Sequence, residues 1–113
     1  EIANKLSANV IEVNSDKRKI LHLSAVFACN FTNHLYALAQ EVLTVNGLDF
    51  DILRPLIAET ANKVQDELPL NVQTGPAIRN DNETIKKHEQ LLKGQPALLE
   101  IYKTLSNSIK NNR

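Results

Sequence analysis

An all-α fold follows from three observations on this 113-residue sequence. Its 3 glycines and 4 prolines fall, with one exception, where helical patterns end. The stretch from Lys17 to Asn46 contains neither residue type. No segment alternates apolar and polar side chains long enough to make a half-buried strand. Together these predict one helical domain over residues 1–113, with about five helices around a long central one.

The first helix is read from Ile2, Leu6, Val10 and Val13, a narrow apolar face at helical spacing. Asn14-Ser15-Asp16 then breaks the pattern, and Ser15 or Asp16 is the expected cap of the next element. That element is the long one, about 45 Å if continuous at 1.5 Å per residue. Its middle is apolar on most sides, which predicts a helix surrounded by others, and Asn46-Gly47 stops it. A third helix restarts at Asp49. Pro55 lies too deep for a first turn there and predicts a kink or a two-part helix. Its buried face is expected to comprise Leu53, Leu56, Ile57, Thr60, Ala61 and Val64. Pro69 to Asn80 is the long break. Asn80 with Glu83 fits a capping box opening a helix through Leu92, and Pro96 opens the last helix, with Leu98, Leu99, Tyr102, Leu105 and Ile109 on one face.

Composition narrows the function classes. Thirteen basic and thirteen acidic residues leave no net charge, which argues against general nucleic-acid binding, since phosphate neutralisation needs a basic excess. No apolar run reaches the length of a membrane span, and no export signal is visible. The single cysteine, Cys29, rules out a disulfide framework within the chain, fits a cytoplasmic setting, and is expected to be an inert core thiol. The chain begins at Glu1 and contains no methionine, which is expected of a processed or excised part of a longer protein.

Two polar constellations remain. On the long helix, His22, Asn30, Asn33 and His34 interrupt an apolar surface. Asn30 and His34 stand one turn apart, and His22 projects from a neighbouring stripe. Such groups need hydrogen-bond partners when buried. They either face a substrate or cofactor cleft or bond between helices, including across a subunit interface. A metal reading is weak, because asparagine is a poor ligand and the two histidines are about 18 Å apart along the axis. In the loop Gln73-Thr74-Gly75-Pro76-Ala77-Ile78-Arg79-Asn80-Asp81, Gly75 permits an unusual backbone. Arg79 precedes a helix N-terminus, where an anion is favoured. With the free amides of that terminus it either holds a phosphate or carboxylate, or it pairs with Asp81 or Glu83 in an N-capped turn.

Three segments in order resemble one family: His22-Leu23-Ser24-Ala25-Val26-Phe27-Ala28-Cys29-Asn30-Phe31-Thr32-Asn33-His34-Leu35, then Leu53-Arg54-Pro55-Leu56-Ile57, then the loop from Gln73 to Asp81. This is the C-terminal helical domain of unknown function in bacterial proteins whose N-terminal half is a Rossmann-like NAD(P)-binding domain. The resemblance implies a fold similar to the C-terminal domain of 6-phosphogluconate dehydrogenase, completing an active-site cleft and forming a homodimer interface. It also implies an NAD(P)-dependent oxidoreductase acting on a small molecule, with NADP or NAD bound mainly by the other domain. Relatives include ketopantoate, pyrroline-5-carboxylate and deazaflavin-dependent NADP reductases. His34 would then be catalytic, with Asn30, Asn33, His22, Thr74, Gly75 and Arg79 contacting substrate or cofactor. One departure is plain. Hydroxyacid dehydrogenases of that superfamily carry Lys-x-x-x-Asn here, whereas this chain has Asn30-x-x-x-His34. A histidine would have to move the proton, which it can do near neutral pH. The alternative is a non-catalytic dimerisation or regulatory module beside a degenerate nucleotide-binding domain.

Overall fold

The computed structural model describes residues 14–112. The expected first helix, Ile2 to Val13, lies outside the described residues. The fold is all-α, with no strand among the described residues. The chain divides into two compact units, one ending at Phe50 and one beginning at Asp51.

The first unit is built on α1 (Ser15–Ala25) and α2 (Thr32–Val45), joined without a loop by a π-helical turn, Val26–Phe31. The sequence predicts one uninterrupted α-helix here, and the π turn is the difference. Its wider ring shows in the Thr32 hydroxyl, which donates to the Phe27 carbonyl five residues back at 3.3 Å. Asn14, rather than Ser15 or Asp16, caps α1, its Oδ1 accepting from the Lys17 amide at 2.9 Å. At the far end, the Leu48 amide bonds to the Leu43 carbonyl at 2.9 Å and the Gly47 amide to the Thr44 carbonyl at 3.1 Å. This pair of bonds is a Schellman cap, and it needs the left-handed φ of +72° that Gly47 supplies.

None of the long helix's side chains is buried, contrary to its reading as a helix surrounded on all sides. Cys29 is likewise exposed rather than in a core. Apolar patterning alone cannot tell a helix enclosed by its own chain from one that presents an apolar stripe outward.

A 3-10 turn, Phe50–Leu53, begins on the last residue of the first unit and runs into α3 (Arg54–Asp66) of the second. Pro55 therefore sits in the first turn of α3, where its missing N–H costs nothing, and the two-part helix is as expected. An Arg54–Asp51 ion pair at 2.6 Å ties the 3-10 turn to α3. Of the expected buried face, Leu53 and Ile57 are half-buried, while Leu56, Thr60, Ala61 and Val64 are exposed. A second 3-10 turn, Pro69–Val72, forms inside the predicted break and packs back on α3.

α4 (Asn82–Leu91) and α5 (Pro96–Asn111) follow. The expected cap at Asn80 moves one residue on: Asp81 accepts from the Thr84 amide at 3.2 Å and from its hydroxyl at 2.8 Å. Asn80 is instead spent on the turn, at a left-handed φ of +55° that asparagine tolerates better than most residues. Pro96 opens α5 as predicted. The last two helices run antiparallel. His88 Nδ1 meets the Tyr102 hydroxyl at 2.8 Å near their middle, and Lys110 Nζ meets Asn82 Oδ1 at 3.4 Å at one end.

Candidate functional site

The first constellation is organised by the π turn. His22 lies in α1, Asn30 in the π turn, and Asn33 and His34 in the first turn of α2. On an unbroken α-helix His22 and His34, twelve residues apart, would be offset by roughly 120° at about 100° per residue. A π turn takes up about one extra residue without advancing the flanking α-helical register, so the offset falls to roughly 20°. His22, Asn30 and His34 then share one stripe instead of two neighbouring ones. All four polar side chains are exposed and make no side-chain hydrogen bond among the described residues. They do not close on one another. They are free to take partners that the described residues do not supply.

The same register change gathers Ile20, Leu23, Phe27, Phe31 and Leu35 into a second stripe on another side of the helix, each at least 39% exposed. Phe27 and Phe31 meet edge to face, with centroids 5.2 Å apart.

The second constellation sits in the other unit. Gly75 holds a φ of +102°, a backbone that side-chain-bearing residues resist. The turn after it closes with the Asp81 amide on the Pro76 carbonyl at 2.9 Å. Ala77 and Ile85 are the buried apolar side chains of this unit, at 4% and 7% exposure among the described residues. The Gly75-Pro76-Ala77 segment is thus anchored by packing. Arg79 is exposed and forms no ion pair within 4 Å with Asp81 or Glu83 among the described residues. Asp81 is occupied by Thr84, whose hydroxyl and amide hydrogen bonds hold its carboxyl below the ordinary value, with Arg79 a lesser contributor.

Two cavities flank the loop. One of about 220 Å³ lies between α3 and the segment after it, lined by Thr60, Lys63, Val64, Pro69, Val72, Gln73 and Thr74. The other, of about 270 Å³ and more apolar, is lined by Leu70, Gln73, Ile78, Ser108, Ile109 and Asn112. Thr74 therefore shares a cavity with Lys63 and not with Arg79, which lines neither. Sequence reasoning missed Lys63. The signal was the i, i+3, i+4 spacing of Thr60, Lys63 and Val64 ahead of Pro69, which turns the chain back over that face. Among the described residues no three His, Cys, Asp or Glu side chains are placed to share a metal ion, and no described helix is long and apolar enough to cross a membrane.

A helical domain with a π turn under its polar cluster and a glycine-shaped loop beside two cavities defines the class. Residues 1–109 match the family described as "Domain of unknown function (DUF2520)", and the chain belongs to it. The chain is also similar to a crystal structure described as "putative NADP oxidoreductase BF3122 from Bacteroides fragilis", at 52% identity over 88% of this chain, with a TM-score of 0.85. It spans 38% of the length of that protein. No match was found among curated proteins.

Proposed function

We propose that this chain is the substrate-cleft and dimerisation domain of an NADP-dependent oxidoreductase whose dinucleotide is bound mainly by a separate domain. The observation that carries this reading is the 52% identity to the Bacteroides fragilis protein, of which the chain corresponds to little more than a third. His34 is the proton-moving group, since the polar stripe has no lysine and imidazole exchanges protons near neutral pH. Asn30 and His22, brought onto the same stripe by the π turn, orient substrate or nicotinamide beside it. The apolar stripe of Ile20, Leu23, Phe27, Phe31 and Leu35 supports a homodimer, because exposed contiguous apolar surface on a helix ordinarily marks an interface.

Calorimetry with NADPH tests the reading. The longer protein that joins this chain to a dinucleotide-binding domain is expected to bind it, and this chain alone is not. Absence of binding by the longer protein would refute the proposal. A second reading, a non-catalytic dimerisation module, is favoured by the missing Lys-x-x-x-Asn pattern. Replacing His34 with Ala separates the two: lost turnover with an intact dimer supports the oxidoreductase, and unchanged turnover with a broken dimer supports the module.

A further inference from the structure

We propose that the cavity between α3 and the 73–74 segment seats the oxyanion group, carboxylate or phosphate, of a small molecule, with Lys63 as its cation. That the molecule is a substrate rests on the oxidoreductase reading above, whereas the anion site belongs to this chain by itself.

Residues that carry donors line this space from two elements, α3 and the 73–74 segment. Lys63 supplies three N–H groups and a charge. Among the described residues its ion-pair partner is Glu59, at 3.6 Å, well beyond the ~2.7–2.9 Å of a strong charge-assisted bond. Both side chains are substantially exposed, at 43% and 62%. Such a pair contributes little and yields readily to a better-placed anion. The Thr74 hydroxyl has no hydrogen-bond partner among the described residues, so its proton is available. Gln73 uses one amide proton on the Thr74 carbonyl at 3.1 Å and keeps a second. Thr60, by contrast, donates to the Leu56 carbonyl at 2.9 Å and can only accept, so it shapes the wall. No carboxylate lines the cavity. Val64, Pro69 and Val72 supply the apolar part of the wall. At about 220 Å³ the cavity is smaller than the ~300–1,000 Å³ sites that enclose whole drug-sized ligands. It fits an end group, not a dinucleotide.

The test is an amide-resolved NMR titration of the full chain with acetate and, separately, inorganic phosphate, at constant ionic strength set with chloride. The expected result is saturable shifts at Gln73 and Thr74 with one or both anions, and the two arms distinguish carboxylate from phosphate. Lys63→Met is expected to weaken the apparent affinity about tenfold. Glu59→Gln is expected to strengthen it by removing the competing carboxylate. Lys103→Met should leave it unchanged. Shifts that do not saturate, an unaltered affinity in Lys63→Met, or equal losses in Lys63→Met and Lys103→Met would each overturn the site. Anion binding without dinucleotide binding by the longer protein would leave the site standing and remove only the word substrate. Dinucleotide binding without anion binding would remove the site and spare the oxidoreductase reading.

Discussion

Deleting Ala28 is expected to stabilise the first unit while damaging whatever the π turn serves. The π turn holds one residue more than the α-helical register needs, so a chain one residue shorter can close i to i−4 bonds straight through from α1 to α2. The flanking faces barely move, because the 20° residual offset between His22 and His34 is that of eleven residues on an unbroken α-helix. One regained backbone hydrogen bond contributes about 0.5–1.5 kcal/mol. On a chain of this size that raises Tm by roughly 4 °C per kcal/mol. Thermal melts followed by circular dichroism measure it, with deletion of Gln40 as the comparison, since α2 has no extra residue there to absorb the loss. Deleting Gln40 rotates the Schellman cap by about 100° relative to the apolar stripe and is expected to lower Tm. Should the Ala28 deletion lower Tm as much as the Gln40 deletion, the single-residue register argument is wrong. Turnover by the longer protein supplies the other half: a more stable, less active variant is expected if the wide turn positions Asn30.

Three further outcomes are expected. A double-mutant cycle of His88→Ala and Tyr102→Phe should give a coupling of about 1 kcal/mol in urea unfolding, from the 2.8 Å hydrogen bond that the phenylalanine lacks; a coupling near zero would show that this hydrogen bond does not join α4 to α5. Because hydrogen bonds from Thr84 depress the Asp81 carboxyl, its stabilisation is present above the ordinary value of 3.8 and disappears as pH falls through the lower folded-state value. Asp81→Asn should keep the cap at neutral pH and remove that acid-range step from the far-UV signal; an unchanged acid titration counts against the cap. Ile85→Ala should cost about 2–3 kcal/mol, the lower part of the usual range, since few neighbours are themselves buried; a loss under 1 kcal/mol would show that Ile85 does not anchor the unit.

Helix identity was legible in the sequence where punctuation is local. Asn46-Gly47, Pro55 and Pro96 each act within one turn, and each does in the structure what its chemistry demands. Caps were legible only to within a residue. Asn14 and Asp81 win over Ser15 and Asn80 because backbone angles, not residue type, decide which oxygen reaches the free amides. The π turn was illegible, since Val26 to Phe31 has ordinary helix-forming content and nothing in six residues announces a change of ring size. It decided how His22, Asn30 and His34 align. The Thr74–Lys63 juxtaposition was equally hidden, because it depends on the Pro69–Val72 turn folding the loop back on α3.

The Schellman cap bears on the chemical ageing of the protein. Asn-Gly is the dipeptide most prone to deamidation, because an unhindered glycine nitrogen can attack the preceding side-chain amide and expel ammonia. Here the Gly47 nitrogen is committed to the Thr44 carbonyl, and the Asn46 amide donates to the Val42 carbonyl at 2.8 Å. Nucleophile and electrophile are both held away from the cyclic imide geometry as long as the last turn of α2 stays wound. Isoaspartate at position 46 would therefore accumulate in proportion to the fraction of time that turn is open, and would report local fraying at the end of the first unit.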